Sequence, residues 1–113
     1  MIKLPKKISM AGFDIAVVPE KMLNTEEQTI GKSLYLEEII YMDTHECPED
    51  TTKQALMHEM VHWILFIMGR YQLKDDEQFV DMFSHLLYQG MKDVIANEIE
   101  NHESRKREQS KKK

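Results

Sequence analysis

Two histidines and a glutamate, in the stretch His58-Glu59-Met60-Val61-His62, are the residues of this chain best spaced to do chemistry together. On a helix, residues four apart share a face, one turn above the other. His58 and His62 can therefore aim two imidazoles at one point. Glu59 lies about 100° round the helix from His58, near that point without being on it. This HExxH spacing suits a Zn²⁺ ion held by two imidazoles, with a carboxylate beside it that handles the proton of a water molecule. The motif lies inside an apolar run from Ala55 to Met68. Two imidazoles and a carboxylate are costly to bury in such a helix without a partner, and a metal ion is such a partner.

A catalytic zinc usually takes three protein ligands and keeps one position for water. His45 and His85 are candidates for the third, but the acidic cluster Asp75-Asp76-Glu77 is the better source. A turn after Gly69 would fold a second helix back on the first as an antiparallel pair, bringing that cluster near His62. Glu77 and Asp81 are four apart and share a helical face. We assign Glu77 as the ligand and Asp81 as the acceptor of a ligating imidazole's N–H, with the reverse assignment as the alternative. Asp75 and Asp76 read as a solvated helix start, and His85 as an exposed side chain one turn beyond Asp81.

The elements that must position these groups read as an α+β domain. Lys6 to Met10 and Phe13 to Val18 carry partly alternating apolar residues around Ala11-Gly12, which predicts a hairpin of two antiparallel strands. Pro19 ends the second strand, since it has no N–H for a ladder. Residues 20–30 read as loop, with Thr25 and Gln28 spaced to cap one helical turn. Gly31 opens a second strand pair, Ser33 to Leu36 and Ile39 to Asp43, joined at Glu37-Glu38. The motif helix is predicted from about Asp50 to Met68, capped by Asp50, Thr51 or Thr52 and stopped at Gly69. Residues 69–74 read as a loop. A second long helix starts at the acidic cluster and extends past Ile99, with Gly90 a weak point inside it.

The chain has 113 residues, 42% of them hydrophobic and 31% charged, which fits one soluble domain with a modest core. No apolar run reaches the roughly 20 residues that span a bilayer, and none near the N-terminus suits a signal peptide. The single Cys47 precedes Pro48 in a polar stretch; it fits a reducing compartment and is read as neither nucleophile nor ligand. These features predict a cytoplasmic protein. Residues 1–101 carry 9 Lys/Arg against 18 Asp/Glu, while residues 102–113 carry 6 against 2. The acidic body argues against broad nucleic-acid binding. The expected division is a single domain over residues 1–101 and a basic, frayed tail over residues 102–113.

The motif HEMVH followed by DDEQFVDMF resembles the small HExxH metallopeptidases often encoded by phages and mobile elements. These are related to the ImmA/IrrE-type zinc peptidases of the zincin class. The resemblance covers most of the chain, including Gly31, Ile39-Ile40-Tyr41-Met42-Asp43 and Leu87-Tyr88-Gln89. Relatives often carry a small Ala-Asn pair after the downstream acid, where this chain has Ser84-His85. The resemblance implies a minimal zincin-like fold: a small antiparallel sheet of three or four strands packed on the motif helix and a long C-terminal helix. It implies zinc bound by His58, His62 and Glu77, with Glu59 catalytic. The expected activity is peptide hydrolysis on a peptide or protein substrate, such as a regulator. By zincin analogy, the strand from Ile39 to Asp43 would offer its edge to an extended peptide. Tyr71, Tyr88 and His85 are the candidate donors to a developing oxyanion. The alternative is a non-catalytic, zinc-stabilised module that acts on a protein partner by contact alone.

Overall fold

The computed structural model describes residues 4–21, 30–45 and 47–111, with side chains described as far as residue 97. Four strands and three helices follow in the order β1 (Lys7–Met10), β2 (Phe13–Pro19), β3 (Gly31–Leu34), β4 (Ile39–Met42), α1 (Glu49–Ile67), α2 (Tyr71–Lys74) and α3 (Glu77–Lys111). The architecture is α+β. The Thr25–Gln28 cap falls outside the described residues.

β1 and β2 form the expected hairpin, with Met10 opposite Phe13. Its two turn residues, Ala11 and Gly12, both have positive φ, at 49° and 83°. Two left-handed residues give the turn whose twist matches the flanking strands. The second hairpin differs from expectation by two residues. β3 occupies residues 31–34, and the turn spans residues 35–38, closed by the Glu38 N–H donating to the Tyr35 carbonyl at 3.2 Å. Glu38 takes the left-handed conformation, φ 55°, a role more often given to Gly or Asn. No turn residue of that kind marks the stretch, which is why its register was not legible.

The sheet is mixed rather than antiparallel. Its strand order is β1-β2-β4-β3, and β2 pairs with β4 in parallel, Val17 opposite Ile40. Side-chain alternation fixes which residues face the core but not which way a neighbouring strand runs. A second correction follows. β4, expected to present a free edge, is paired on both sides. The outer strand on that side is β3.

One sheet face supplies Ile15, Val17, Ile40 and Met42 to the main core, and α1 supplies Leu56 and Trp63. Trp63 is fully buried, with the rings of Phe13, Tyr35 and Phe66 at 5.9, 5.0 and 5.7 Å. Truncating a buried Trp of this kind costs roughly 3–5 kcal/mol, so this aromatic cluster fixes the angle at which α1 lies on the sheet. A smaller core of Val61, Leu65 and Val80 joins α1 to α3.

α1 begins at Glu49 with no side-chain cap, and Thr52 instead donates to the Pro48 carbonyl at 3.1 Å. The expected cap at Asp50, Thr51 or Thr52 thus lies two to four residues past the N-cap position, Pro48. α1 ends as expected: Gly69 has φ 74° and its N–H bonds to the Phe66 carbonyl. Residues 71–74, read as loop, form the short helix α2. Asp76 then accepts from the Phe79 N–H at 3.1 Å and starts α3. The backbone of α3 remains helical through Gly90 and on to Lys111, across the boundary drawn at residue 101. Among the described residues no helix is long and apolar enough to cross a membrane.

Candidate metal centre

α1 places His58 and His62 on one face, and the reversal through α2 brings the first turn of α3 against them. The Nε2 atoms of His58 and His62 lie 3.2 Å apart. Glu77 faces both, with Oε2 3.1 Å from His58 and Oε1 3.1 Å from His62. Asp81, one turn further along α3, sits on the other side of the His58 ring, with Oδ1 2.9 Å from Nδ1.

These contacts determine what the cluster can bind. A carboxylate only accepts, so the contact to Asp81 puts the hydrogen of His58 on Nδ1. In the neutral ring, Nε2 is then a bare lone pair. That lone pair faces the His62 Nε2, which can donate to it in one tautomer, and a Glu77 oxygen, which can only accept. A metal ion shared by the three groups would satisfy all of them at once. The three ligand atoms lie within 4.8 Å of one another, so His58, His62 and Glu77 can hold a metal ion. His62 is buried and Glu77 is 67% exposed, so the cluster is backed by protein on one side and open to solvent on the other.

Glu59 is not part of this group of three. It is 8% exposed and accepts a hydrogen bond from the Ser33 hydroxyl at 2.8 Å. Burying a carboxylate carries a penalty of several kcal/mol, of which one hydrogen bond to a charged group returns about 1.5–3 kcal/mol. A cation next to it would offset the rest. Ser33 and Gly31 come from β3, and they share with His58, Glu59, His62 and Glu77 a cavity of about 350 Å³. A second cavity of similar size lies on the other side of His58 and Glu59, lined by Thr51, Gln54 and Asp81. The glutamate therefore stands where two open spaces meet.

Several residues singled out in the sequence lie elsewhere. His45 and His85 are exposed and stand outside the cluster, with His85 beside Gln89. Cys47 contacts the Asp43 carbonyl, and burial, then the charge of Asp43, pushes its thiol above the ordinary range. Tyr88 donates to Asp50 at the start of α1, and Tyr71 packs on Phe66 at 6.0 Å. Neither lines the cavity at Glu59. The tyrosine that does is Tyr35, beside Lys74. Its position depends on where the second hairpin turns, so nothing in the local pattern marked it.

Comparison with known proteins finds no family, no curated protein and no solved structure that matches this chain.

Proposed function

We propose that this protein is a zinc-dependent peptidase. The observation that carries the reading is the buried Glu59 carboxylate, held by Ser33 in one cavity with the His58, His62 and Glu77 cluster. Glu59 is neither in the ligating group nor, unlike Asp81, shown to accept from a ligating imidazole, so proton transfer is the role this reading gives it.

Zinc is favoured over other ions by the donor set, two imidazoles and one carboxylate. Tetrahedral ligands at about 2.0–2.1 Å from one centre lie about 3.3 Å from one another. The 3.2 Å between the two Nε2 atoms, and the 3.1 Å from each of them to one oxygen of the Glu77 carboxylate, are close to that. Bound there, zinc would supply Lewis acidity, acidifying a water molecule and polarising a carbonyl. Asp81 holds the His58 ring with Nε2 bare and oriented. Glu59 takes the proton of the attacking water and returns it to the departing amine nitrogen. Ser33 keeps that carboxylate in place between transfers. Gly31 and Ser33 of β3 line the cavity beside Glu59, and the substrate would lie along this strand. The substrate is a peptide or protein, and a free thiol at Cys47 suits a reducing, cytoplasmic setting. A minimal zincin-like arrangement of the motif helix on a sheet accounts for this geometry.

The test uses the zinc-loaded wild type and Glu59→Gln. The wild type should bind one zinc per chain and cut members of a mixed fluorogenic peptide library. The variant should bind the same zinc and cut nothing. Cleavage retained by Glu59→Gln would remove the catalytic reading and leave a metal-stabilised binding module.

A further inference from the structure

We propose that Tyr35 is a catalytic residue of this site, its hydroxyl donating a hydrogen bond to the carbonyl oxygen as negative charge develops there. The inference rests on the peptidase reading and names a group that reading lacks.

Peptide hydrolysis needs a donor aimed at the oxygen that becomes anionic, held in place before the reaction begins. Tyr35 lines the same cavity as His58, Glu59 and His62. Its ring is clamped: Phe66 stacks on it at 4.6 Å, Trp63 packs at 5.0 Å, and the Lys74 ammonium lies 4.7 Å from its centroid. Such a ring has little freedom to lose when substrate arrives. Burial first, and then the charges of Glu59, Asp75 and Glu77, hold the hydroxyl well above the ordinary tyrosine range. A phenol, with an ordinary pKa of about 10, carries its hydrogen at neutral pH and has it to donate.

Among the other polar groups lining the cavity, Lys74 is the rival donor, since its ammonium carries three N–H bonds and its ion pair with Asp75 does not use them all. The Ser33 hydrogen goes to Glu59, and the Lys74 ammonium sits 3.1 Å from Asp75. His58 Nδ1 faces Asp81, and the two Nε2 atoms face Glu77 and each other. Among the described residues, none takes the Tyr35 hydrogen, and the hydroxyl is available to a ligand in the cavity.

The step balances. The water oxygen forms a bond to the carbonyl carbon, the C=O π pair moves onto oxygen, and Glu59 takes the water proton. The C–N bond then breaks, and Glu59 passes that proton to the amine nitrogen. Tyr35 donates a hydrogen bond throughout and loses no proton.

The test compares zinc-loaded wild type, Tyr35→Phe and Lys74→Met on one fluorogenic peptide that the wild type cuts. Tyr35→Phe keeps the ring contacts and should lower kcat about 100-fold, with KM within twofold. Its zinc affinity, read by competition with a chromophoric chelator, and its Tm should be unchanged. Lys74→Met should lower kcat less than tenfold. A Tyr35→Phe kcat within threefold of wild type would overturn the proposal, as would a loss confined to KM or to zinc affinity. So would a large loss in Lys74→Met that Tyr35→Phe does not show. A wild type that cuts no peptide would sink the peptidase reading, and this inference with it.

Discussion

Gly31 and Glu59 meet where β3 lies against α1: a β-carbon on Gly31 would stand 2.8 Å from Glu59 Cγ and 3.0 Å from Met42 Sδ. Only a residue without a side chain lets the glutamate lie in this position. The first residue of the outer strand thus acts as a mould for the carboxylate.

Replacing Gly31 with Ala should therefore act on the site more than on the fold. Glu59 is tethered at both ends, by the helix backbone and by Ser33, so the added methyl group must push the carboxylate or the strand aside. Overpacking of this kind costs about 1–3 kcal/mol. We expect Gly31→Ala to unfold in urea at lower concentration by that margin. Peptide cleavage should fall at least tenfold while bound zinc stays near one per chain. Wild-type kinetics in the variant would show that Glu59 is not constrained by β3.

Asp81 should control how tightly the metal is held. Its side chain is 75% exposed, so removing it leaves no buried cavity, but its contact at 2.9 Å sets the hydrogen of His58 on Nδ1. Loss of such an orienting carboxylate typically weakens metal binding 10- to 100-fold. Asp81→Ala should show that drop by chelator competition, with its apo-protein Tm close to wild type. Glu77→Ala should be more severe, since it removes a ligand atom. Equal metal affinity in Asp81→Ala and wild type would exclude the orienting role.

The link between α3 and the start of α1 should be sensitive to pH at both extremes. Tyr88 donates to Asp50 at 2.8 Å, and Lys92 lies 3.4 Å from the same carboxylate. Burial, then the bond to Asp50, raises the Tyr88 hydroxyl to about 12 from its ordinary 10.0. A raised folded value means that its contribution is complete below pH 10 and is lost between pH 10 and 12. For Asp50 the hydrogen bond from Tyr88, then Lys92, lowers the carboxyl below its ordinary 3.8. A lowered folded value means that stability is present above that pH and is lost as acid protonates the group. In urea titrations from acid to alkali, the wild-type advantage over Tyr88→Phe should be greatest between these limits and shrink beyond either. A constant difference across the range would show that only ring packing separates the two proteins.

The clearest feature in the sequence was the one set by local geometry. His58 and His62 share a face because helical spacing requires it, and Gly69 stops α1 because few residues take positive φ as easily. The acidic start of α3 was visible for the same reason: Asp76 caps and Glu77 follows, whatever the rest of the chain does. The pairing of Glu77 with the two imidazoles was a weaker inference, since it needed the chain to reverse between the helices. The short helix α2 makes that reversal, in a stretch that read as plain loop.

By itself, the sequence determined the reactive residue types, the helix that aligns two of them and the two strands that form the first hairpin. Those properties depend on neighbours a few positions away, where backbone geometry leaves little choice. Tertiary structure alone decided that β2 runs parallel to β4, that β3 and not β4 is the outer strand of the sheet among the described residues, and that Gly31, Ser33 and Tyr35 close round Glu59. Those relations join residues more than twenty positions apart. They are set by how the Trp63 cluster seats α1 on the sheet, and packing of that kind leaves no periodic mark in the chain.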